Sequence, residues 1–331
     1  MEAQEDLVPA AIVEPASILR WRTMLAVPLG AVFALAVHML IAKGEPPLET
    51  HSYRLLFIEI IGVSILLAVL RRFSPRLRRW MAGMWPIFTV AILSVCVWDL
   101  ITLGFRMLPL PYFPGPSAVL RSLINDRVLL LDSTWHSLVL LLSGYTLGVI
   151  AGLISGICIG WSTPIRYWGM PILKVIGPIP ATAWIPLAMV LSPSAIVSSA
   201  ALIALAVWFP VTMLTASGIS NTRASYLDVA RTLGAGRWYL IFRVAIPAAI
   251  PNIFIGLFMG LGASFLTLVV AESVGVKSGL GWYVSWAQGW AEYGKVFAAL
   301  IIMAAFFSTI MTLLFKVRDR VLVWQKGVIK W

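Results

Sequence analysis

The sequence predicts an all-α, polytopic membrane protein of about eight transmembrane helices, and three observations carry that prediction. Hydrophobic residues make up 60% of the chain against 12% charged, with a mean hydropathy of +0.92, outside the range of a soluble globular domain. The apolar residues fall in runs of about 20, the length that crosses a hydrocarbon core as a helix. The basic residues sit at the ends of those runs instead of forming one stripe, so the net charge of +11 reads as topology, with membrane lipid and not nucleic acid as the surroundings.

The first 22 residues open acidic and lead into a long apolar run without a small-residue cleavage site, so they read as a tail and no signal peptide is expected. Spans are predicted near Thr23–Ala42, Tyr53–Leu70, Met84–Phe105, Ser137–Trp161, Pro171–Leu191, Ala195–Ala216, Asn252–Ala271 and Val296–Phe315. Eight spans put both ends on one side. Eighteen of the 25 arginines and lysines then fall on that side, which predicts cytoplasmic N- and C-termini. Glu59 and Asp99 lie inside spans, where an ionised carboxylate costs about 2.5–3.5 kcal/mol. One reading is a proton or ion relay with His38. The other is a pair of protonated or hydrogen-bonded acids at helix interfaces. Cys96 and Cys158 lie in apolar runs and read as core residues, with neither a disulfide nor a thiolate metal site implied.

Between the third and fourth spans, four prolines from Pro109 to Pro116 deny helix until Pro116, which suits a first turn and predicts a short surface helix over Ser117–Ile124. Gly144, Gly148, Gly152, Gly156 and Gly160 recur every four residues in the fourth span. They make a smooth stripe for a close helix contact, within the chain or at a subunit boundary. The fifth span is interrupted by Gly177, Pro178, Pro180 and Pro186. Interrupted spans free backbone groups to line a transport path, a rule drawn from secondary transporters. Pro180, Thr182, Trp184, Pro186 and, from the next span, Phe209 are therefore the candidates for its lining. A kink that only curves the helix is the alternative. Glu272, at the outer end of the seventh span, is an outer-gate candidate or a contact for the delivered substrate's carrier, or else a boundary acid satisfied by water or nearby amides. Trp282, Trp286 and Trp290, four apart, predict an interfacial helix, with a cation cage as the sharper alternative.

The segment Ser225–Pro251 is a polar insert between two apolar runs. Ser225 and Asp228 have capping-box spacing, Gly234 and Gly236 flank the stop, and Arg237–Ile246 reads as a second short segment punctuated by Pro247 and Pro251. Asp228, Ala230, Gly234, Val244, Ile246 and Pro247 fall at the spacing of the EAA loop of ABC-importer permeases, with Asp228 where glutamate is usual and Val229 in place of the first alanine. From about Leu108 onward the chain resembles the nitrate/sulfonate/taurine/bicarbonate branch of that family.

That resemblance implies a type I permease core over 81–331 with a coupling loop at 218–250, a two-helix addition at 23–80, and a place in a bacterial inner membrane. It implies two copies of an ABC ATPase subunit carrying ATP and Mg, docked by Asp228, Ala230, Arg231, Leu233, Gly234 and Ala235. It also implies a second permease copy as a homodimer, and an external binding protein delivering a small oxyanion or sulfonate-type solute. The chain has no G-x-x-x-x-G-K-[ST] loop of its own, so no cofactor is expected on it. A proton-coupled transporter built on Glu59, Asp99 and His38 is the competing class. It leaves the long insert without a purpose. A membrane enzyme has little to stand on, since His38, His51 and His136 are far apart and no metal spacing appears.

Overall fold

The computed structural model describes residues 22–41 and 47–323, and all regular structure among them is helical. Residues 1–21 of the N-terminal tail and 324–331 of the C-terminal tail lie outside the described residues. Among the described residues six helices are long and apolar enough to cross a membrane: 51–70, 75–104, 127–161, 195–220, 237–275 and 293–321. The first predicted span, α1 (Arg22–Ile41), contributes a shorter apolar stretch, Leu25–Ile41. The fifth predicted span is not a straight crossing. Its two halves, Thr163–Ile176 and Ala181–Leu191, meet at 84°.

The chain divides into compact units at Asn125 and Asp126, whereas the sequence reading begins the core at residue 81. In the first unit α1, α2 (Pro47–Leu70) and α3 (Pro75–Asp99) share a core of Ala31, Ala34, Tyr53, Phe57 and Cys96. Ser74 caps α3 by accepting the Leu77 N–H at 3.4 Å, and a π-turn, Leu100–Gly104, extends it. Inside this core His38 Nδ1 lies 2.8 Å from Asp99 Oδ2, both side chains at most 1% exposed, with the Tyr53 ring against the imidazole. Glu59 is apart from that pair, exposed on a groove with Trp80, Trp85 and Phe88, so the three-residue relay is not assembled. The predicted surface helix is present as α4 (Pro116–Asn125), packed on α2.

In the second unit α8 (Ala195–Ser220) runs between α5 (Arg127–Trp161) and α11 (Ile246–Gly275). The glycine stripe of α5 is the reason they fit. A Cβ on Gly148 would lie 2.5 Å from the Ala204 carbonyl oxygen, and one on Gly156 2.6 Å from Thr215 Cβ. The stripe is therefore an intrachain seam that lets two backbones touch. Gly256 and Gly260 of α11 also meet α8, at Pro210, Val211 and Val207. Polar side chains cross between these three helices. Trp208 Nε1 donates to Ser155 Oγ at 3.0 Å, Ser155 and Thr212 share a 2.8 Å bond, and Tyr145 donates to the Leu257 carbonyl at 3.0 Å. At the far end of α5, Arg166 of α6 (Thr163–Ile176) donates to the carbonyls of Ile159 and Gly160, closing off groups a helix terminus leaves unpaired.

Candidate functional site: a broken-helix cavity, a carboxylate staple and an exposed polar insert

The cavity forms where the fifth predicted span breaks. Gly177, Pro178 and Pro180 interrupt helix after α6, and the chain continues as a 3-10 turn, Ala181–Trp184, before α7 (Ile185–Leu191). Proline's missing N–H makes this the cheapest place to bend. The resulting space is about 370 Å³, lined by the broken segment, by α8 and by α11. Of the candidates from sequence, Pro180, Thr182 and Phe209 line it, while Trp184 and Pro186 do not. Pro186 sits in the first turn of α7, where it starts a helix instead of breaking one. Trp184 buries its Nε1 without a hydrogen-bond partner among the described residues.

Sequence reasoning missed the α11 wall, Met259, Ala263, Leu266 and Thr267, because nothing in an unbroken apolar helix says which stripe faces a cavity. The lining holds no charged side chain. Its hydroxyls are those of Thr182 and Thr267, the latter donating to the Ala263 carbonyl at 3.0 Å.

Glu272 is placed away from that cavity. It is 1% exposed near the end of α11 and accepts a hydrogen bond from Ser137 Oγ of α5 (2.7 Å to Oε1) and one from the Gly281 N–H (2.8 Å to Oε2). Ser137 Oγ in turn accepts the Leu280 N–H at 2.8 Å. Gly279, at φ +104, makes the turn, and a side chain there would collide with the Glu272 carboxylate. The carboxylate thus staples α5, α11 and the start of α12 (Leu280–Gly289). Its partners are one backbone amide and one serine hydroxyl.

The aromatic helix α12 packs one face into the protein. Tyr283 and Ala287 are fully buried against α5, α11 and α13 (Tyr293–Val321), and the Tyr283 hydroxyl donates to Asp126 Oδ2 at 2.7 Å. Burial, and then that carboxylate, push the Tyr283 phenol up from its ordinary value. Trp282 stacks on Trp286 at 6.1 Å, while Trp290 lies past the helix end. The cation over an indole here is the chain's own Lys295, 4.8 Å from the Trp286 ring.

The polar insert departs from its predicted start, and its helix ends at the predicted glycine, Gly234. Helix α9 runs Ala224–Thr232 without a side-chain cap, and Asp228 pairs with Arg231 at 3.0 Å instead of capping through Ser225. At the other end Gly234 adopts φ +82, the Gly234 N–H reaches the Arg231 carbonyl (2.9 Å) and the Ala235 N–H the Ala230 carbonyl (3.0 Å). That is a Schellman stop, which requires a left-handed residue. Asp228, Arg231, Leu233 and Gly234 are exposed, Leu233 by 82%, with Ala230 and Ala235 half-buried beside them.

The second half of the insert is no separate short helix. α10 (Arg237–Tyr239) passes through a π-turn, Leu240–Ala245, directly into α11, giving one helical body from Arg237 to Gly275. Pro247 falls in the first turn after the π-turn and Pro251 inside the helix, so neither ends it.

Residues 144–322, more than half the chain and including the cavity, the Glu272 and Gly281 ends of the staple and this loop, match the family model of the binding-protein-dependent transport system inner membrane component. The chain belongs to that family. It is an ABC-importer permease, a multi-pass protein of the inner membrane. Among similar proteins is a probable ABC transporter permease protein of Haemophilus influenzae, 32% identical over 221 residues, spanning 66% of this chain and 89% of the relative. The taurine transport system permease protein of Escherichia coli is 30% identical, over 65% of this chain and 80% of its own length. A nitrate import permease protein of Leptolyngbya laminosa is 31% identical, over 48% of this chain and 57% of its own. The permease therefore sits in the nitrate/sulfonate/taurine branch, and the family match starts beyond the whole first unit.

Proposed function

We propose that this permease forms half of a translocation path for a small oxyanion or sulfonate-type solute, and that separate ATPase subunits drive it through α9. The observation that carries the reading is mechanical continuity. The exposed α9 knob packs on the π-turn, and the helix that leaves that turn is the one whose Met259, Ala263, Leu266 and Thr267 wall the cavity. A push on α9 therefore has a rigid route to the path. Leu233 and Val229, exposed by 82% and 60% on a polar segment, supply apolar contact for a groove. The Asp228–Arg231 pair supplies charge, and half-buried Ala230 and Ala235 allow close approach.

Two ATPase copies bearing ATP and Mg, a second copy of this permease and an external binding protein complete the assembly. The loop and both termini lie on the cytoplasmic side, as the positive-inside bias supports. A lining without fixed charge gives an anion no deep site, so selection rests with the binding protein. The taurine and nitrate relatives support a small anion as cargo.

Uptake of radiolabelled taurine and nitrate into proteoliposomes tests this. They would hold the full-length permease with its copurifying ATPase and its binding protein, with and without lumenal ATP or a proton gradient. Uptake is expected to follow ATP and ignore the gradient. Gradient-driven uptake by the permease alone would sink the reading.

A further inference from the structure

We infer that Phe209 sets the bore of the half-path and that Gly177 is the seat on which its ring is parked. This rests on the reading that the broken-helix cavity belongs to the path. Both residues line that cavity, Gly177 from the break and Phe209 from α8. A Cβ at position 177 would overlap the Phe209 ring, whose Cε2, Cζ and Cδ2 are the atoms it would meet first. Backbone torsions do not ask for glycine there, since Gly177 has helical φ −58 and ψ −44. What glycine provides at 177 is the absence of a side chain under an aromatic face.

Besides its seat, Phe209 packs against the cluster of Ile159, Leu173 and Ala216, all at most 6% exposed. Close-packed side chains of that kind resist displacement. The open space beside the ring is the cavity that both residues line. A ring pushed off Gly177 therefore enters the bore and narrows it, and removing the ring widens it. The position before Pro210 suits a residue of this kind, because a proline within α8 removes one backbone bond and loosens the helix at that level.

The two substitutions thus have effects of opposite sign, which a merely structural contact would not produce. The probe is the full-length permease in membrane vesicles, with Cys96→Ala and Cys158→Ala as background and Thr182→Cys as reporter. The readout is the rate of modification by a small, charged thiol reagent, with Ile154→Cys, 59% exposed on α5 and outside the cavity lining, as the control.

Phe209→Ala is expected to speed modification of the residue-182 thiol roughly tenfold. Gly177→Ala is expected to slow it by a similar factor, the scale on which one added methyl perturbs a packed contact. The double variant is expected to follow Phe209→Ala, since without the ring the seat is irrelevant. Single variants that move the rate in the same direction, or a double variant that stays slow, would overturn the inference. So would a Phe209→Ala rate equal to the parent's, even if Gly177→Ala did not reach the membrane. A 182 thiol no faster than the one at 154 is a different failure. It would remove the path reading and the bore with it, whereas a fast 182 thiol indifferent to both substitutions removes the bore alone.

Discussion

The seam between α5 and α8 and the break between α6 and α7 are built from the same kind of residue and behave in opposite ways. In the seam glycine recurs every fourth position, so the flat stripe lies along one helix face and the neighbouring backbone docks against its whole length. At the break one glycine is followed by two prolines within three residues, so the helix stops and turns through 84°. Spacing, and not composition, decides whether small and ring-closed residues make a rigid contact or a cavity. The permease uses both. The seam and the Glu272 staple hold a frame, and the break supplies the space within it.

The largest expected effect comes from spoiling the seam. Gly148→Leu would drive a side chain into the Ala204 carbonyl, and overpacking of this kind costs about 1–3 kcal/mol or more. Gly262, on α11, has open space where a side chain would begin, with nothing within 4 Å. Fluorescence size-exclusion of detergent extracts should show loss of the monodisperse protein for Gly148→Leu and retention for Gly262→Leu. Equal behaviour would break the contrast.

Next is the staple. Glu272→Ala leaves the Gly281 N–H and the Ser137 hydroxyl without their acceptor in a buried site, at about 1–3 kcal/mol. A melting-temperature drop with a preserved elution profile is expected. No change would show that the staple holds nothing.

Gly234→Ala sharpens the comparison from the loop side. The position has open space around it but sits at φ +82, where an L residue costs about 1–2 kcal/mol. Because α9 is exposed, the melting temperature of the frame should hardly move, while copurification of the ATPase subunit falls. Unaltered copurification would detach the Schellman stop from docking.

The smallest effect is at Tyr283. Its phenol titrates higher folded than unfolded, so its contribution is complete below the unfolded value near 10.0 and declines as pH rises above it. Tyr283→Phe should cost about 0.5–1.5 kcal/mol at neutral pH and flatten the alkaline decline in melting temperature. An identical alkaline slope in the variant would refute that assignment.

Several features are legible in the sequence because a local rule demands a particular residue. Gly234 ends a helix because few other residues accept a positive φ, and the stop is where that rule puts it. Pro178 and Pro180 predict an interruption of the fifth span, and the interruption is there. The capping box at Ser225 does not form, because the helix begins one residue earlier and Arg231 offers Asp228 a charged partner within one turn. Pro251 resembles a boundary in sequence, although a proline in a long apolar helix is tolerated once neighbouring helices hold the segment. Glu272 stays open between its readings at that level, since its partner Ser137 lies 135 residues away along the chain.

The amino-acid order alone settled that the chain is built to span a bilayer, that a helix ends at Gly234 and the fifth span breaks at Pro178 and Pro180, and which stretch forms the exposed knob. Those are consequences of backbone torsion and of transfer between water and hydrocarbon, which each residue carries with it. Tertiary structure decided what the glycine stripe touches, which face of α11 walls the cavity, and that His38 meets Asp99 while Glu59 does not. In an apolar solvent every face of an apolar helix is equally soluble, so only the shape of its neighbours selects the one that turns inward.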